Sequence, residues 1–178
     1  MTGGQLVITG LGAGPGKQKI AFSGRVPVFP EYDLPRPSVR GAQIALDDLG
    51  AGVSLYERSQ FDGNPLGGGG IIPFSCHAWR SKGTKFLYRE ITRDCPSPAT
   101  NGRIRLVRIE DRRLLSPSEI LVKYKVTDAT ISVPAGPIRS AFTFGSTAIL
   151  SALGRCGEHT FAPSECVLTG SKLKCRQP

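Results

Sequence analysis

Histidine is almost missing from this chain: among 178 residues only His77 and His159 occur. Histidine is the side chain most often used for proton transfer near neutral pH. Neither copy sits in a context that marks a base, and the Gly-x-Ser-x-Gly turn of a hydrolase nucleophile is absent. Acidic residues are also scarce, 14 against 23 Lys and Arg, which gives a formal charge of +9 and a pI of about 9.7. Nothing in their spacing singles out a glycosidase pair. No apolar run approaches the ~20 residues of a membrane helix, so no span is expected. The opening Met-Thr-Gly-Gly-Gln has neither a basic nor an apolar leader region, so no signal peptide is visible. A mature chain begun with an added Met would read the same way.

Two motifs invite a cofactor and then fail. Leu6-Val-Ile8 leads into Gly10-Leu-Gly-Ala-Gly-Pro-Gly-Lys17, an apolar strand followed by glycines and a lysine. A phosphate loop needs Gly where Leu11 stands and Ser or Thr where Gln18 stands. The dinucleotide pattern fails at Pro15, and no long helix follows. The stretch reads instead as a hairpin loop into Lys19-Ile-Ala-Phe-Ser23. Cys76-His77 and Cys156-Gly-Glu-His159 carry ligand types that suit zinc or copper. No Cys-x-x-Cys is present, and adjacent strand residues point to opposite faces, so no metal or other cofactor is expected.

What the chain does have is short alternating strands. In Glu119–Thr127, Ile120, Val122, Tyr124 and Val126 share one parity and Lys123, Lys125 and Thr127 the other. That period of two makes one face apolar and one wet. Arg103–Glu110 breaks the rule: Ile104 and Leu106 share a face, while Val107 and Ile109 fall on the other. Either both faces are buried near the end, or a bulge resets the parity. Lys85–Ile91 places Phe86 and Tyr88 opposite Lys85 and Arg89. Gly83 and Asn101-Gly102 supply turns, since both accept positive φ. Trp79 to Val126 therefore reads as consecutive antiparallel strands.

Elsewhere, Gly41–Leu49 and Val53–Ser59 are strand candidates joined by a turn in which Asp47 and Asp48 read as solvated residues. Asp128–Val133 and Ala141–Phe144 add two more, and Ala148–Leu153 suits a helical turn. Residues 26–40 carry four prolines and read as an extended surface connection. Residues 60–70, with four consecutive glycines, read as a loop insertion. Gly at 22 and Pro at 14 suit many turns. Ten to thirteen strand candidates in one length of 178 residues predict an all-β antiparallel sandwich, jelly-roll-like, with a barrel as runner-up. The whole chain reads as one such domain.

Five cysteines, three of them in the last twenty-three positions, favour an oxidising compartment, outside the cell or in its envelope. Cys166–Cys175 reads as a hairpin about Gly170-Ser171, with Gly first as a type II′ turn requires. Counting outward places Cys166 opposite Cys175 at a non-hydrogen-bonded pair, close enough for a disulfide. Cys76–Cys95 is the second expected bond, with Cys156 left over. The competing arrangement joins Cys156 to Cys175 and leaves Cys166 for Cys95 or Cys76.

In this order the elements resemble a recurring module of secreted bacterial proteins whose function is not settled. The likeness is carried by the opening strand pair Leu6–Phe22 and the strand Gly41–Leu46. It continues with Trp79, Gly83, Phe86, Tyr88 and Arg89, then Leu114 and Leu115 before Val122-Lys123, and the Cys-containing final hairpin. It implies an extracellular β-sandwich and brings no catalytic residues.

The function classes follow from charge. Arg103, Arg105, Lys123 and Lys125, with Lys85 and Arg89 on a third run, would form one cationic stripe if these strands pair. The alternatives are an ordinary solvated face or a surface for polyanions such as acidic polysaccharide. Single-stranded nucleic acid would want aromatics on that face. Phe86, Tyr88 and Tyr124 lie on the opposite parity, so no specific nucleic acid is expected. Three readings result: a non-catalytic adhesion, envelope or assembly module that self-associates; an acidic-glycan binder; and a small secreted enzyme or metal protein using His77 or His159.

Overall fold

The computed structural model describes residues 2–27, 42–58, 77–90, 102–112, 119–144 and 156–177. These carry twelve β-strands, one 3-10 turn at Pro163–Glu165 and no α-helix. In chain order the strands are β1 (Thr2–Thr9), β2 (Gln18–Pro27), β3 (Ala42–Asp48), β4 (Val53–Arg58), β5 (His77–Lys82) and β6 (Lys85–Glu90). They continue with β7 (Arg103–Asp111), β8 (Glu119–Ala129), β9 (Ile138–Phe144), β10 (Cys156–Phe161), β11 (Cys166–Thr169) and β12 (Lys172–Arg176). Eight strands form one antiparallel sheet in the order β11-β12-β1-β2-β8-β7-β6-β5, and four form a second in the order β10-β9-β3-β4. Neither sheet closes on itself, so the fold is an open sandwich and the barrel alternative is ruled out.

Alternation puts the apolar parity of each strand between the sheets. Leu6 and Ile8 on β1, Ile20, Phe22 and Val26 on β2 and Ile120, Val122, Tyr124 and Val126 on β8 are buried. Ile44 and Leu46 on β3, Ile138 and Phe142 on β9 and Phe161 on β10 meet them in one core. Each such side chain contributes about 1.5–3 kcal/mol of burial. Phe22 stacks on Tyr124 at 5.1 Å and meets Phe161 of the other sheet edge-on at 6.5 Å. The Tyr124 hydroxyl reaches Ser140 Oγ at 2.9 Å across the gap. Where the layers come closest, side chains are missing: a Cβ at Gly157 would lie 2.6 Å from the Val26 methyls.

Several expectations change here. β2 continues through Val26 and Pro27 into the proline-rich stretch; residues 28–41 lie outside the described residues, as do 59–76 with the glycine loop, and 145–155 with the expected helical turn. The segment expected as a strand at 128–133 is not one, because β8 ends at Ala129 after Asp128 turns to φ +58°. Asp47 and Asp48 are not solvated turn residues. Asp47 accepts from Arg139 Nε at 3.1 Å and Nη2 at 2.8 Å. Asp48 is 2% exposed and accepts the N–H groups of Gly50, Ala51 and Ala135 at 2.9, 3.1 and 2.7 Å. It ties the β3–β4 turn to the loop before β9, where a Cβ on Gly136 would meet Gly50 Cα at 2.4 Å.

Candidate polyanion-binding face

The stripe depends on whether β6, β7 and β8 are neighbours. They are: β8 pairs with β7 and β7 with β6, so Lys123 stands opposite Arg108 and Lys85 opposite Glu110. The parity break in β7 is a bulge. Ile104 pairs with Val126 and Leu106 with Lys125, which leaves Arg105 as the extra residue. Beyond it Val107 and Ile109 turn inward, both at most 1% exposed, and Leu106 and Arg108 turn outward. Arg105 Nε donates to Thr127 Oγ1 at 3.3 Å, so the bulged side chain still lies over the outer face. Arg103, Arg105, Lys123, Lys125, Lys85 and Arg89 therefore share one surface.

That surface is larger than the stripe. The register places Lys19 and Arg25 of β2 and Lys172, Lys174 and Arg176 of β12 on it as well. Among the described side chains, Arg108 and Lys82 complete a set of thirteen cations over six strands. Against them stand two carboxylates on the same face, Glu110 and Glu119, with Asp128 at its rim. Arg108 and Arg112 both hold Glu110, the latter at 3.4 Å, and Arg25 lies 3.6 Å from Glu119. Burial pushes the Glu110 carboxyl up, but the Arg108 hydrogen bond and the charges of Arg108, Arg112 and Lys85 outweigh it and hold it below its usual value. Among the described outward side chains of this sheet none is aromatic; Tyr88 and Tyr124 are buried on the inner side and Phe86 packs against the core.

Arg108 escapes a straight parity count because the bulge inverts its face. The β12 cations are legible as Lys-Leu-Lys-Cys-Arg alternation, but their place on this sheet depends on β1 pairing with β12 across the whole chain length.

The other candidate residues are dispersed. His159 is buried on β10, its ring 4.3 Å from Phe161 and tight against Gly4 of β1. His77 begins β5, at the far edge of the large sheet. β1 and β5 are five strand positions apart, about 24 Å at ~4.8 Å each, so the sandwich does not bring the two histidines together. Among the described residues no group of three or more His, Cys, Asp or Glu could hold a metal. The glycine loop after β1 is a hairpin clamped from within: Gln18 Nε2 donates to Gly10 O at 3.1 Å and Gly14 O at 2.9 Å.

Cys166 and Cys175 are bonded, with Cα atoms 4.0 Å apart, and β11 pairs with β12 in the expected register. Gly170 has φ +57° and Ser171 has no positive φ, as a type II′ turn requires. The bond excludes the Cys156–Cys175 alternative. Cys76 and Cys95 lie outside the described residues, and Cys156 opens β10 opposite Thr143. No helix among the described residues is long and apolar enough to cross a membrane. No protein-family model, no curated protein and no solved structure matches the chain.

Proposed function

We propose that this chain is a non-catalytic binding module that holds a polyanion on the outer face of its eight-stranded sheet. One observation carries the reading: among the described residues, thirteen Lys and Arg side chains share that face with two carboxylates, both already held by arginines. Like charges opposite each other on neighbouring strands destabilise a sheet. Lys123 opposite Arg108 and Lys82 opposite Lys85 are such pairs. A bound anion turns that repulsion into attraction. The Cys166–Cys175 bond supports a place in an oxidising compartment, outside the cell or in its envelope. Retention on immobilised heparin tests the proposal. The wild-type chain should elute at clearly higher salt than the Arg103→Gln, Arg105→Gln, Lys123→Gln, Lys125→Gln variant; equal elution of the two folded proteins refutes it.

A second reading, self-association, has its own support. The outer face of the small sheet carries Asp47, Glu57 and Glu158 against Arg139, the opposite balance. One copy's acidic face on the next copy's basic face would give head-to-tail stacks. Sedimentation at low and high salt tests it: stacks that dissolve as salt rises support it, and a monomer at both salts rejects it.

A further inference from the structure

We propose that the ligand is a single linear acidic polysaccharide chain, lying lengthwise in a trough floored by β1 and β2; this rests on the reading above. The cations of the face are not evenly spread. Every described outward side chain of β1, and the middle outward positions of β2, are short or neutral, whereas β12 and β8 carry long cations at successive outward positions. One row across the sheet reads Lys174, Val7, Ala21, Lys125, and the next reads Arg176, Gln5, Ser23, Lys123. The strands that carry the two walls are three spacings apart, roughly 14 Å, and along each wall the cations recur every second residue, about 6.7 Å. Strand twist makes the trough a shallow saddle.

Three properties of the trough select the ligand. Its floor offers no aromatic ring, so unpaired bases gain no stacking there. A nucleic-acid duplex presents a charge every ~1.7 Å, far denser than the wall repeat, and is too broad to sink between the walls. A sugar chain fits both elements. Its uronate carboxylates or sulfate esters project sideways to Lys and Arg on either wall. Its ring hydroxyls meet Gln5 and Ser23 on the floor.

The discriminating variant is Ala21→Trp. It fills the floor without changing any charge, and Trp suits a half-buried strand position. Titration of a heparin-derived oligosaccharide and of an oligogalacturonate, which separate sulfate from carboxylate, should show binding by at least one in wild type and at least tenfold weaker binding in Ala21→Trp. Val7→Trp, on the adjacent strand, gives the same readout if Ala21→Trp fails to fold. Wild-type affinity in the tryptophan variants, together with loss in the four-Gln variant, would leave the basic face as a binding surface and overturn the trough. Tighter binding of duplex DNA than of either oligosaccharide at equal salt would overturn the ligand class. Binding of no polyanion at all would overturn the underlying reading instead.

Discussion

Asp48 shows how one side chain can be misread from its neighbours. In sequence it is half of an Asp-Asp pair before Leu-Gly-Ala-Gly, the composition of a wet turn. In the fold its carboxylate is buried and gathers backbone donors from two loops. The hydrogen bond from Ala135 lowers its pKa most; desolvation opposes this, and Ala51, Gly50 and Gly136 add to the lowering. A depressed folded pKa means that stability is present above the unfolded value and is lost as pH falls through the folded one. Stability should therefore decline below about pH 4, with Glu110 contributing in the same direction. Replacing Asp48 with Ala removes the charged acceptor of three backbone N–H groups and should cost about 2–3 kcal/mol by urea unfolding at neutral pH. Asp48→Asn should flatten the acid limb, and an unchanged pH profile would show that the carboxylate does not carry it. No local signal reveals this role, because the donor at Ala135 is 87 residues away.

At the scale of the element, alternation within a strand is legible and partnership between distant strands is not. The inward sets of β8 and β6 and the register of the β11–β12 hairpin follow from local pattern. β10 leaves no such pattern, because its inward positions are Gly157, His159 and Phe161, only one of them a large apolar residue. The β7 bulge makes a sharp prediction. Deleting Arg105 removes the extra residue and restores simple alternation, Ile104 in, Leu106 out, Val107 in. That variant should fold with its thermal midpoint little changed. Deleting Arg108 turns Ile109 outward and Glu110 into the core, and should abolish cooperative unfolding. Equal behaviour of the two deletions would contradict the register. The hairpin disulfide closes a short loop, so a Cys166→Ser, Cys175→Ser variant should lose about 2–3 kcal/mol, a fall of roughly 5–10 °C in midpoint for a chain of this size. No loss would mean that the bond constrains nothing the hairpin does not already hold.

At the scale of the molecule the sandwich separates charge: one outer face is dense in Lys and Arg, the other carries three carboxylates and one arginine among its described residues. Net charge and strand parity make part of the basic face legible in the amino-acid order alone. Its full extent is not, because the β12 lysines reach it only through a pairing between the two ends of the chain. If this face holds a polyanion by charge, binding must weaken as salt displaces it. Titration with heparin across about 50 to 200 mM salt tests this most directly, since the slope of log affinity against log salt counts the ionic contacts released. A steep, linear fall is expected for the wild-type chain, and a weaker, shallower one when Arg103, Arg105, Lys123 and Lys125 are changed to Gln. Absence of binding at the lowest salt, or the same slope in both proteins, would contradict a charge-held polyanion.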